Sequence, residues 1–157
     1  MNEESVQPII RDGLELAEAK RSLPISLLRT RETVMQRFRP MLQAHDVTEQ
    51  QWRILRILFE SAALDATMLA ERACVLAPSL TRMIRSLETR GLIETRRDEH
   101  DRRRSLVALT PAGEQFLRGI APLSAKIYAQ IEAEVGAERI QRLLDDLDAF
   151  RQALSKE

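Results

Sequence analysis

Apolar residues return at three- and four-residue intervals from Pro24 to about Ala44, with Leu27, Leu28, Val34, Met35, Phe38 and Leu42 forming the stripes of a helix. Pro24 suits the first turn of that helix. Residues 1–20 are acidic and only weakly periodic, and read as a frayed start or a short helix. At "HDVTEQQWRIL" the pattern restarts. Thr48 followed by Gln51 has the spacing of a capping box, and Val47 is placed to act as the hydrophobic staple. A helix from Glu49 to Glu60 is expected to bury Trp52, Leu55 and Phe59 along one stripe, with Ile54 and Leu58 beside it.

The stretch "DATMLAERACVLAPSLTRMIRSLETRG" predicts two short helices. Asp65 caps the first, about Ala66 to Ala73, with Leu69 and Ala70 facing inward. Leu76 and Ala77 make the turn, and Pro78 opens the second helix, which runs to Arg90 and stops at Gly91. Leu80, Met83, Ile84 and Leu87 form its apolar stripe. Its other face carries Pro78, Thr81, Arg82, Arg85, Ser86 and Thr89. Two strand candidates, "LIETRR" and "SLVALT", flank a charged loop with the spacing of a hairpin. Pro111 opens a long helix through about Ala133, which Gly119 and Pro122 could interrupt. After Gly136 a last helix, about Ala137 to Leu154, places Ile140, Leu143, Leu144, Leu147 and Phe150 at helical spacing. The expected fold is mainly α with a small β-hairpin wing, a winged helix-turn-helix.

Composition narrows the class. A chain of 157 residues with 44% hydrophobic content can bury a core, and 5 Gly argue against a fibrous protein. The single Cys74 excludes an internal disulfide and a thiolate-rich metal site. No secretory signal is visible and no apolar run approaches the ~18 residues of a membrane span, so a cytoplasmic protein with no membrane partner is expected.

The formal net charge of zero conceals an uneven distribution. Residues 78–104 hold eight Arg against five Asp or Glu, whereas residues 130–157 hold four Arg or Lys against seven Asp or Glu. Five arginines (Arg96, Arg97, Arg102, Arg103, Arg104) crowd the hairpin loop around Asp98, Glu99 and Asp101. Such a run is often only a solvated turn, and the abundance of arginine can reflect genome composition. Beside a helix-turn-helix it fits another use. Arg82 or Arg85 on the second short helix can fork onto guanine in a major groove, and Ser or Thr hydroxyls can bond bases or phosphates. The loop arginines can reach phosphates or a narrow minor groove. Asp101 would then aim one of them.

The segments "DEHDRRRSLVALTPAG" and "LAERACVLAPSLTRMIRSLETRGLIETRRD" resemble the wing and helix-turn-helix of the multiple-antibiotic-resistance regulator (MarR) family. That family's wing reads D-P-x-D-R-R and runs into a strand ending L-T-x-x-G. Glu99 stands here where proline is common. The stretch "SLPISLLRTRETVMQRFRPMLQAHDVTEQQWRILRIL" is similar to the subgroup that regulates homoprotocatechuate (4-hydroxyphenylacetate) degradation operons. The resemblance covers about residues 25–154. It implies a homodimeric regulator, a repressor in the subgroup, that binds a near-palindromic double-stranded DNA operator. A small aromatic or phenolic acid would release the operator from a pocket beside the dimerisation helices. Pro78, Ser79, Thr81, Arg82 and Arg85 would meet the major groove. Arg103 would enter the minor groove, oriented by Asp101, while Arg96, Arg97, Arg102 and Arg104 would serve the DNA backbone. The chain then divides as one domain over 1–157, with dimerisation helices at 22–47 and 111–157 and a winged helix-turn-helix lobe at 48–110.

Independently of the resemblance, the long amphipathic arms have little of their own lobe to pack against. Pairing with a second copy would bury their stripes, and the alternative is an arm folded back on its lobe. For an aromatic carboxylate, Ser26, Arg29 and Thr30 on the first long helix and Trp52 and Arg53 on the next are candidate ligands. Trp52 could equally be a core aromatic, and Arg29 an ion-paired surface residue. Cys74, beside Val75 and Leu76, reads as buried packing rather than a thiol sensor. His45 and His100 have no metal-ligand spacing. No nucleophile elbow, phosphate loop, dinucleotide fingerprint or zinc-protease helix is present, so neither an enzyme nor a cofactor is expected. Other readings are a regulator of stress or drug-efflux genes answering another ligand, a thiol redox sensor, or a helical module that binds protein.

Overall fold

The computed structural model describes residues 22–99, 101 and 103–155. The acidic first twenty residues, His100 and Arg102 lie outside them. The chain divides into two compact units, Met1–Pro40 and Met41–Glu157. Helix α1 (Leu23–Ala44) contains Pro40, whose missing N–H forgoes the bond to the Gln36 carbonyl. In the first unit, Arg39 reaches back two turns and grips both carboxylate oxygens of Glu32 at 2.5 and 2.6 Å. Leu27, Leu28 and Val34 of the α1 stripe are exposed.

The second unit holds the core. Helix α2 (Glu49–Ser61) opens on the expected capping box, with Gln51 N–H donating to Thr48 Oγ1 at 3.1 Å and Thr48 N–H to Gln51 Oε1 at 3.0 Å. Ile54, Leu55 and Leu58 are fully buried against helices α3 (Ala66–Ala73) and α4 (Ala77–Thr89) and the sheet. Phe59, expected in that stripe, is 38% exposed, and Trp52 is half-buried. The buried line follows residues 54, 55 and 58, which leaves 52 and 59 on the helix shoulder. There the Arg118 guanidinium of helix α5 (Pro111–Val135) covers the Phe59 ring at 5.3 Å.

The hairpin strands β2 (Ile93–Arg97) and β3 (Ser105–Leu109) form as expected, and a third strand, β1 (Ala63–Asp65), makes β3 central. At three residues β1 is too short to show an alternating pattern. Its antiparallel register sets Leu64 opposite Val107 and Asp65 opposite Leu106. Asp65 then ends the strand and caps α3, accepting the Met68 N–H at 2.9 Å. Gln51 Nε2 donates to Ser86 Oγ at 3.2 Å, tying α2 to α4.

Cys74 is exposed, contrary to expectation. It closes α3 in the left-handed conformation, φ 50° and ψ 50°, which turns the chain away from the buried line of Leu69 and Ala73. Helix α5 runs unbroken through Gly119 and Pro122 to Val135, two residues past the expected end. Pro122 is exposed, so the bond it withholds from Arg118 frees a carbonyl near solvent. Helix α6 (Ala137–Leu154) buries none of its residues, and Leu143, Leu144, Phe150 and Leu154 stand exposed.

The junction of α4, β3 and α5 accounts for the L-T-x-x-G pattern. Gly91, at φ 70°, ends α4 while Leu92 N–H returns to the Leu87 carbonyl at 3.0 Å. Thr110 Oγ1 donates to the Gly91 carbonyl at 2.6 Å and accepts the Gly113 N–H at 3.0 Å, and Thr110 N–H bonds the Leu92 carbonyl at 3.1 Å. A Cβ on Gly113 would lie 1.9 Å from that carbonyl oxygen. Gly113→Ala is therefore expected to cost about 2–3 kcal/mol or more, since the obstacle is backbone. Urea unfolding of the purified variant measures the loss.

Candidate nucleic-acid interface and adjoining cleft

Helix α4 divides its residues as the sequence implied. Leu80, Met83 and Leu87 are buried, while Pro78, Thr81, Arg82 and Arg85 are exposed and Ser79 is half-buried. Thr81 Oγ1 donates to the Ala77 carbonyl at 3.1 Å, so its hydroxyl faces the outside as an acceptor. None of the described residues pairs with Arg82 or Arg85. Thr95 Oγ1 donates to Glu88 Oε1 at 2.5 Å, which fastens β2 to α4 and joins the helix face to the wing.

In the wing, Arg96 and Arg97 are both exposed and lie opposite Leu106 and Ser105. Beyond the strands, Asp98 N–H donates to the Arg104 carbonyl at 3.0 Å and Arg104 N–H to the Asp101 carbonyl at 2.9 Å. The Asp101 carboxylate accepts the backbone N–H of Arg103 at 3.0 Å. It thus shapes the turn that presents Arg103, and the contact to Arg103 is to the main chain instead of the guanidinium. Arg103 is exposed, and no described residue meets its guanidinium, nor that of Arg96 or Arg97. Arg104 differs. Its guanidinium meets Asp65 at 2.5 Å.

A cleft of about 250 Å³ opens between α2 and α5, lined by Trp52, Arg56, Leu117, Ala121, Ser124, Ala125 and Tyr128. One aromatic wall, a guanidinium and two hydroxyl-bearing residues around an apolar floor suit a small aromatic acid. Arg56 pairs with the exposed Glu60 at 3.1 Å. Of the five ligand candidates drawn from the sequence, only Trp52 lines this cleft. Arg53 donates instead to the Ala73 carbonyl at 2.7 Å, satisfying the end of α3. Ser26, Arg29 and Thr30 belong to the first unit, where Thr30 Oγ1 donates to the Ser26 carbonyl at 2.8 Å. Arg29 there borders an open depression with Leu28, Glu32 and Thr33. Sequence reasoning missed Arg56 and Tyr128. The signal was present: Arg56 follows Trp52 by one helical turn, and residues 117, 121, 124 and 128 share one face of α5.

The MarR family model matches residues 47–105, which span this helix-turn-helix and wing. The homoprotocatechuate degradative operon repressor of Escherichia coli is 42% identical over 129 residues, covering 82% of this chain and 87% of the relative. This chain belongs to the MarR family. The chain is also similar to the HTH-type transcriptional regulator FarR of Neisseria gonorrhoeae, 40% identical over 124 residues, 79% of this chain and 85% of the relative. The structure of NadR in complex with 4-hydroxyphenylacetate superposes with a TM-score of 0.77 at 37% identity, covering 90% of this chain and 99% of NadR. The protein is a winged helix transcriptional regulator. No described helix is long and apolar enough to cross a membrane.

In this MarR protein the Met68 N–H, and after it the Arg104 guanidinium, hold the Asp65 carboxyl below its ordinary range. The folded pKa lies below the unfolded one. The stabilisation is therefore complete above about pH 4 and is lost as pH falls through the folded value. Asp65→Asn keeps an acceptor for Met68 without the titration. Its stability, measured by urea unfolding at stepped pH, should fall less steeply than wild type below about pH 4.

Proposed function

We propose that this regulator binds a near-palindromic operator as a homodimer, represses an operon for aromatic-acid breakdown, and releases DNA when a phenolic or aromatic carboxylate occupies the Trp52 cleft. The observation that carries the reading is that cleft. It offers Arg56, Ser124 and Tyr128 beside an aromatic wall, in a chain 37% identical to NadR, solved with 4-hydroxyphenylacetate. Similarity to the homoprotocatechuate operon repressor supports the same chemistry.

In this reading Arg56 takes the carboxylate and Tyr128 or Ser124 the ring hydroxyl, with Trp52 packing on the ring. On the DNA side, Pro78, Ser79, Thr81, Arg82 and Arg85 face the major groove. Arg103 enters the minor groove from the turn that Asp101 shapes, and Arg96, Arg97 and Arg102 serve the phosphates. The exposed apolar residues of α5 and α6, from Leu123 to Leu154, pair across the dimer. A two-fold dimer places two recognition helices on half-sites roughly 34–36 Å apart. Ligand releases DNA by favouring a lobe spacing that misfits those grooves, and coupling of about 1–3 kcal/mol weakens operator binding roughly 5- to 150-fold.

Two experiments test this. The melting temperature is measured against a panel led by homoprotocatechuate and 4-hydroxyphenylacetate. An effector at 100 times its dissociation constant adds about 2.7 kcal/mol of stability, and Arg56→Ala should abolish the rise. No rise with any member sinks the aromatic-acid assignment. On a duplex selected by the wild-type protein, Arg103→Ala should weaken binding severely without altering the dimer. Arg82→Ala or Arg85→Ala should shift sequence preference by about 1–3 kcal/mol per lost base contact. A uniform loss across sequences would assign that arginine to phosphate instead.

A further inference from the structure

Arg104 sits among the wing arginines in sequence, yet its surroundings set it apart. Asp65 lies opposite Leu106 in the β1–β3 register, and Arg104 stands one residue before β3 begins, two positions from that partner. Their side chains meet at 2.5 Å, with Asp65 only 22% exposed. The same carboxylate accepts the Met68 N–H at 2.9 Å. One side chain therefore receives the root of the wing on one oxygen and the first turn of α3 on the other. Arg82, Arg85, Arg96, Arg97 and Arg103 have no such partner among the described residues, and their guanidinium groups are available to DNA. One Nη of Arg104 is committed to Asp65, and the carboxylate beside it offsets the charge that the guanidinium can offer a phosphate.

We propose that Arg104 is a positioning residue: through Asp65 it fixes the wing against the start of α3, and so sets the angle at which Arg103 is offered to DNA, without binding phosphate itself. The inference rests on the DNA-binding reading above. It moves one arginine of the basic loop from the contact surface to the frame.

The test uses full-length protein and a duplex selected from a random pool by the wild type, with dissociation constants measured over a range of NaCl concentrations. The variants are Arg104→Ala, Asp65→Ser and the double substitution. Serine preserves the cap on α3 while removing the partner of Arg104. Asp65→Asn replaces it should the serine variant fail to fold by circular dichroism. Both single variants should weaken binding by a similar factor, about 2- to 5-fold for an exposed ion pair, and the double variant should be no weaker than either. The slope of log K against log salt should stay at the wild-type value.

A phosphate contact predicts the opposite pattern. Arg104→Ala would lose roughly one unit of salt slope. Asp65→Ser would then tighten binding, because it removes a carboxylate that competes for the guanidinium. Either result overturns the inference while leaving the DNA reading intact. A wild-type protein that shows no salt-dependent duplex binding overturns both.

Discussion

The close approach of the first turn of α5 to the Leu92 carbonyl is the constraint on which the helix-turn-helix and wing depend. At that point three elements end or begin close together in space: α4 at Thr89, just before Gly91, β3 at Leu109 and α5 at Pro111. Only a residue without a Cβ fits at 113, and only a hydroxyl at 110 can both donate to Gly91 and accept from Gly113. Helix α4, the wing and α5 thus leave one knot with fixed directions. The Thr95–Glu88 and Gln51–Ser86 bonds brace the same assembly from either side. Electrostatics then acts on a surface whose shape is already set.

That frame explains which arginines are spent internally. Arg90 donates to the Asp46 and His45 carbonyls and lies over the Phe116 ring at 5.5 Å. Arg53 closes α3. Arginine serves these positions because its planar fork satisfies carbonyls while its body packs on an aromatic face. An excess of arginine in a sequence therefore overstates the charge offered to a ligand.

Much of the fold was legible in the sequence. The Thr48 box, the Asp65 cap, Pro78 and Gly91 bound helices whose limits agree with the structure to within a residue, because each acts through neighbours in the chain. Strand β1 was not legible, since three residues carry no period and its partner is forty residues away. The position of Phe59 depended on where α5 crosses α2, which no local pattern encodes. Cys74 misled for a related reason: its apolar neighbours suggested burial, but the left-handed turn that ends α3 decides its exposure. For the site, the face of α4 was readable from periodicity. The separate fates of Arg103 and Arg104 required the sheet register, and the cleft required the pairing of α2 with α5.

The opposite charge of the two segments, basic at 78–104 and acidic at 130–157, has a consequence for how such a molecule travels. A neutral body with separated poles feels little net pull from a distant polyanion, but it feels a torque in the gradient near one. Near a polyanion such a field draws the basic segment in ahead of the acidic one. Zero net charge, in this arrangement, selects for alignment over accumulation.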